Sequence, residues 1–178
     1  MKITVRFDDF PHDPPNMGER ATVHSFNRRH CNSADPDAFG LVVKEGRITS
    51  SNPGIRQRLD TGTAFILSAY EHGNIVWSLG GEGYQCRWDT APVAGILFID
   101  RKRGQSREVR EAEARTFLEG YNAWCNGEIY DVSLWADDEY EVMLDFNFCL
   151  GYKEVREAIR WLKDTYNLPD DILVEDPV

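Results

Sequence analysis

The chain has 178 residues, 42% hydrophobic and 28% charged, with 30 Asp and Glu against 20 Lys and Arg for a net charge of −10. A chain of this length buries roughly 70% of the surface its unfolded form exposes, so it needs no staples to fold and reads as one domain, residues 1–178. The anionic surplus argues against direct binding to nucleic acid or anionic membranes, which reward clustered Lys and Arg. It favours basic partners, including the DNA-binding clefts of other proteins, although net charge also serves solubility.

The four cysteines, Cys31, Cys86, Cys125 and Cys149, are far apart and include no C-x-x-C pair. That spacing argues against a structural zinc site and against a disulfide framework, and predicts free thiols in a reducing compartment. The N-terminal MKITVRFDDF lacks the apolar core of a secretory signal, and no run of 18 apolar residues occurs. A cytoplasmic protein with no membrane span is therefore expected.

Residues Ile3 to Phe7 alternate with period two and predict a first strand. A loop with three prolines in five residues follows, Pro11 to Pro15. Residues 16–39 are polar and irregular, with Thr22 to Phe26 open between strand and helix. Leu41 to Lys44 predicts a short strand. Thr49 to Thr63 reads as a loop, with Asn52-Pro53-Gly54 as a turn. Phe65 to Tyr70 and Ile75 to Leu79 predict a hairpin turning through Glu71-His72-Gly73-Asn74. Ala94 to Ile99, nearly all apolar, predicts a central strand buried on both faces.

Ser106 to Asn126 carries apolar residues at helical spacing, with Asn126-Gly127 as its stop. Ile129 to Trp135 predicts a strand, joined by a hairpin through Ala136 to Glu139 to a second one. There Tyr140, Val142, Leu144, Phe146 and Phe148 alternate with mostly polar residues, so the apolar set is expected to face inward. Lys153 to Tyr166 predicts an amphipathic helix with Val155, Ile159, Leu162 and Tyr166 on one stripe. The acidic tail, residues 170–178, is expected to be partly flexible. The order of elements predicts an α+β fold, mainly an antiparallel sheet with two amphipathic helices on one face.

No P-loop, nucleophile elbow, H-E-x-x-H or EF-hand motif is present, and Gly80-Gly81-Glu82-Gly83 reads as a turn. No cofactor or metal is expected. A site from His24, His30, Cys31 and His72 is conceivable but has no ligand spacing to support it. Asp89, in Cys86-Arg87-Trp88-Asp89-Thr90, reads as a turn cap or as a general base with His72 from the hairpin. Arg28-Arg29 reads as an anion clamp or as a solvated pair. Asp137, Asp138, Glu139 and Glu141 at the second hairpin are expected to be rigidly spaced carboxylates, able to imitate phosphates in front of a basic cleft.

Several segments together resemble a family of small acidic proteins of bacteriophages and related mobile elements, a group without an assigned activity. They are Phe26-Asn27-Arg28-Arg29-His30, Tyr70-Glu71-His72-Gly73, the Cys86-x-Trp88-Asp89 step into the strand ending at Ile99, Gly127-Glu128-Ile129-Tyr130, and Phe148-Cys149-Leu150-Gly151-Tyr152. They occur in the family's order, and the resemblance covers most of the chain from about residue 16 to 152. Asn27 stands where the family has His, and the stretch after Asp89 is one residue longer. The resemblance implies a phage-encoded protein made inside a bacterial cell. Two functions are therefore carried forward. One is a non-enzymatic inhibitor of a host defence or DNA-processing protein that mimics nucleic acid with its carboxylates. The other is a small hydrolase of nucleotides or nucleic acid using Arg28, Arg29, His72, Trp88 and Asp89.

Overall fold

The computed structural model describes residues 1–8, 21–45, 47–83, 86–100, 104–136 and 142–175. In chain order the elements are β1 (Lys2–Phe7), β2 (Ala21–Ser25), a 3-10 turn (Pro36–Phe39), β3 (Leu41–Lys44), β4 (Arg47–Ser50), α1 (Pro53–Thr61), β5 (Ala64–His72), β6 (Asn74–Leu79), β7 (Thr90–Ile99), α2 (Arg107–Cys125), β8 (Ile129–Trp135), β9 (Met143–Leu150), α3 (Gly151–Tyr166) and β10 (Val174–Glu175). The fold is α+β with mostly antiparallel sheets, the expected class. The chain divides into two compact units, Pro15–Asn122 and Met1–Pro14 with Ala123–Val178. Among the described residues, no helix is long and apolar enough to cross a membrane.

In the Pro15–Asn122 unit the sheet order is β2-β7-β5-β6. β7 is central, and its adjacent Ile96 and Leu97 are both fully buried, as expected of a strand covered on two faces. Gly95 permits a close approach, because a Cβ there would lie 2.6 Å from the His24 carbonyl oxygen. Thr22 to Phe26 resolves as strand β2. β6 lies at the sheet edge, and Asn122 of α2 satisfies its outward backbone at Trp77. The Asn122 Oδ1 accepts from the Trp77 N–H at 2.7 Å, and its Nδ2 donates to the Trp77 carbonyl at 3.0 Å.

The loop expected over Thr49 to Thr63 is instead the end of β4 and helix α1. Asn52-Pro53 is a helix start rather than a turn. The Asn52 Oδ1 accepts from the N–H groups of Gly54 at 2.9 Å and Ile55 at 3.4 Å, with proline at the first helical position. Gly62, at φ +68°, closes the helix. Arg110 of α2, almost fully buried, donates to the carbonyls of Thr61 at 2.6 Å, Gly62 at 3.0 Å and Gln105 at 2.7 Å. Its cation therefore sits at the negative end of α1.

In the other unit the sheet order is β10-β1-β8-β9. Ile3, Val5, Val132 and Leu134 face the α3 residues Val155 and Leu162 in one apolar cluster, which Ile159 and Tyr166 flank. This is the predicted stripe of α3. The two helices read from the sequence do not share one face: α2 serves the sheet containing Trp77, and α3 serves this one.

β9 corrects the expected facing. Its register with β8 pairs Tyr130, Val132 and Leu134 with Cys149, Asn147 and Asp145. Those mostly polar positions therefore take the cluster face, while Leu144, Phe146 and Phe148 are 41%, 48% and 42% exposed. The inward Asp145 is satisfied by α3, whose Tyr166 hydroxyl donates to its Oδ2 at 2.9 Å. Within the acidic tail, Val174–Glu175 pairs in parallel with β1, and Lys2 Nζ lies 3.4 Å from Glu175 Oε1; residues 176–178 lie outside the described residues.

Candidate functional site

The residues that converge most closely lie where β5 ends and β7 begins. The Glu71-His72 step, read from the sequence as turn, is strand. β5 runs through His72, and the reversal is compressed onto Gly73, whose φ of +85° suits glycine. Tyr70 pairs with Thr90, and the Glu71 N–H donates to the Asp89 carbonyl at 2.9 Å. Glu71 and Asp89 therefore stand opposite each other across the two strands.

Asp89 is held by the turn that precedes β7. The Cys86 N–H donates to Thr90 Oγ1 at 2.8 Å, the Thr90 N–H returns to the Cys86 carbonyl at 3.0 Å, and the Cys86 thiol donates to Asp89 Oδ2 at 3.4 Å. His72 Nδ1 lies 3.5 Å from the same Oδ2. The His72–Asp89 pairing expected from sequence is thus present in space.

The loop after β2 supplies the other side. Ser25, fully buried, accepts from the Asn27 N–H at 3.0 Å, and its hydroxyl lies 2.8 Å from His30 Nδ1. In the tautomer where the Ser25 hydroxyl donates to Nδ1, His30 turns Nε2–H toward Glu71 Oε1, 3.8 Å away. Asn27 Nδ2 reaches the same Oε1 at 3.5 Å. A buried Ser25 cannot meet a substrate. The Ser25-His30-Glu71 series therefore orients the loop and is not a nucleophile relay.

A cavity of about 420 Å³ opens here, lined by Phe26, Asn27, Glu71, Trp77, Trp88 and Asp89 among others. Trp88 is 83% exposed. A larger cavity, about 790 Å³, lies against α1, β4 and α2 in the same unit. Part of its charge is paired, with Arg107 Nε on Glu111 at 2.8 Å and Arg115 Nη2 on Glu82 at 2.6 Å, while Lys44 and Arg47 also line it.

Arg28 and Arg29 are exposed on the loop after β2, where the Arg29 N–H donates to Asn27 Oδ1 at 3.0 Å. Neither guanidinium joins the His72–Asp89 contact. Asp137, Asp138, Glu139 and Glu141 lie outside the described residues, so only the antiparallel pairing of β8 and β9 on either side of them is on view. Among the described residues, no group of three or more His, Cys, Asp or Glu is placed to hold a metal ion. His24 packs its ring near Phe39 and Phe98, and burial lowers its pKa, so it serves packing. Cys31, Cys86, Cys125 and Cys149 are free thiols.

Sequence reasoning missed Glu71, His30 and Asn27 as partners of this site. The available signal was the continuation of β formers through Tyr70-Glu71-His72 to a lone glycine, which moves Glu71 from a turn to a strand face. Chemically, the arrangement sets two carboxylates, each beside an imidazole, against aromatic walls. It can accept donors from a ligand or take a proton. No protein-family model matches the chain, and no match was found among curated proteins or solved structures.

Proposed function

We propose that this is a non-enzymatic binding protein that acts inside the bacterial cell by engaging a basic surface on another protein. The resemblance to phage-encoded acidic proteins makes a host defence or DNA-processing factor the partner class. The observation that carries this reading is the segregation of charge. Met1–Pro14 with Ala123–Val178 holds 17 Asp and Glu against six Lys and Arg, net −11, whereas Pro15–Asn122 holds 13 against 14, net +1, which together give −10. Concentrating the anions in one unit raises the potential a basic partner meets, and so favours steered association. The exposed Leu144, Phe146 and Phe148 of β9 follow directly after the Asp137–Glu141 segment, and apolar contacts of this kind give such an encounter its residence time.

The test is capture of the partner from host lysate at low and high salt, with the native chain and with D137N/D138N/E139Q/E141Q. One near-stoichiometric basic partner is expected, lost as salt rises and weakened by the four substitutions. Capture unchanged by both salt and substitution would sink the acidic-mimic reading.

The hydrolase reading retains one specific support, the 3.5 Å approach of His72 to Asp89 beside an open cavity. An imidazole oriented by a carboxylate is the usual geometry of a general base. Turnover of a nucleotide or oligonucleotide, abolished by H72A and by D89N, would establish it. Absence of turnover by the native chain across a substrate panel would remove it.

A further inference from the structure

The cavity beside Glu71 and Asp89 has a composition that selects its guest. Its lining includes two carboxylates and the rings of Phe26, Trp77 and Trp88, but no Lys, Arg or His among the described residues. Each carboxylate is held through one oxygen only. His72 and the Cys86 thiol both meet Asp89 at Oδ2, and Asn27 and His30 both meet Glu71 at Oε1. Asp89 Oδ1 and Glu71 Oε2 have no partner among the described residues. The cavity therefore presents two fixed carboxylates, each with an acceptor to spare, on opposed strand positions.

An anionic guest would meet two like charges. A bare metal ion would lack a ligand set, since no group of three or more candidate ligands converges. A neutral apolar guest would strip water from the carboxylates without replacing its hydrogen bonds. A guanidinium meets every condition. Its planar fork spreads five donors, enough to serve two carboxylates at once, and its face stacks on indole. Trp88 already shows this affinity on its own chain, with the Arg87 guanidinium 5.2 Å from its ring centroid. An indole held 83% exposed at the mouth of a cavity is also the residue type that most often anchors a protein contact.

We infer that this cavity receives one arginine side chain of a partner polypeptide, with Glu71 and Asp89 accepting from the guanidinium and Trp88 covering its face. The inference rests on the preceding reading for the source of the arginine, a basic protein. The chemistry of the cavity itself stands apart from that reading.

The test titrates N-acetyl-arginine N-methylamide into the full chain, followed by tryptophan fluorescence and calorimetry, with the capped citrulline as a neutral isostere. Saturable binding is expected for arginine and not for citrulline. E71Q/D89N and, separately, W88A should each weaken it about tenfold or more, the scale of a desolvated cation–aromatic contact. The exposure of Trp88 makes W88A safe for folding, and circular dichroism checks both variants. Four results would overturn the inference: no saturation, equal binding of citrulline, binding untouched by the substitutions, or saturable binding of a nucleoside monophosphate in place of arginine. Arginine binding without any captured basic partner would retire the preceding reading and leave the cavity assignment standing. Capture of a partner with no arginine binding would do the reverse.

Discussion

The two units use their charged residues differently. In Pro15–Asn122 three arginines are built into the framework. Arg56 Nε donates to the Ser50 carbonyl at 2.8 Å, Arg107 reaches the carbonyls of Leu59 and Asp60 at 3.2 and 3.1 Å, and Arg110 is spent on three more. In the other unit, α3 closes the sheet with Val155 and Leu162 on aliphatic strand positions, and the chain there carries almost three carboxylates for every cation. A whole-chain charge of −10 is therefore an average of two unlike bodies. An argument from net charge to partner holds for only one of them.

The comparison breaks most readily at Leu162. It is fully buried in the cluster with Ile3, Val5, Val132 and Leu134, so L162A should cost about 3 kcal/mol in denaturant-unfolding stability, through lost transfer energy and the residual cavity. A loss below about 1 kcal/mol would mean that α3 does not close this sheet by apolar packing.

Arg110 tests the other side. R110M keeps the aliphatic stem and leaves the carbonyls of Thr61, Gly62 and Gln105 without their donor, at a cost of roughly 2 kcal/mol. Lysine should not rescue it, because one ammonium cannot reproduce the fork. R156M on the exposed side of α3 is the matched control and should fall within about 0.5 kcal/mol of the native chain. Equal losses at Arg110 and Arg156 would erase the distinction between framework and surface cations.

Periodicity made most elements legible, and it failed where a tertiary choice decided. The stripe of α3 and the apolar run of β7 each carry their facing in their own residues. β9 does not. Its apolar set Leu144, Phe146, Phe148 and its polar set Asp145, Asn147 alternate cleanly, but which set turns inward was decided by register with β8 and by the Tyr166 hydroxyl waiting for Asp145. α1 was hidden because Asn-Pro-Gly satisfies the rules for a turn and for a capped helix start alike. At the candidate site, His72 and Asp89 were visible because one residue type suggested the other. Glu71 and His30 were not, since their meeting depends on a loop folded back through Ser25 and Asn27.

Cys149 gives the smallest effect, one absent at neutral pH. It sits on the cluster face of β9, where burial, with Glu154 and Asp131 adding to it, pushes the thiol up to about 11 from an ordinary 9.0. The fold thus favours the protonated form. The stability this supplies is whole below about pH 9 and is lost as pH rises through about 11, because the unfolded chain ionises first. Stability measured across that window should fall more steeply for the native chain than for C149A, since every other alkaline group is common to both. Thiol labelling gives an independent reading: the exposed Cys31 should react with a maleimide well before Cys149, which should react only as the unit opens. Parallel pH slopes together with equal labelling rates would show that β9 presents Cys149 to solvent, and the facing of the whole strand would then have to be reversed.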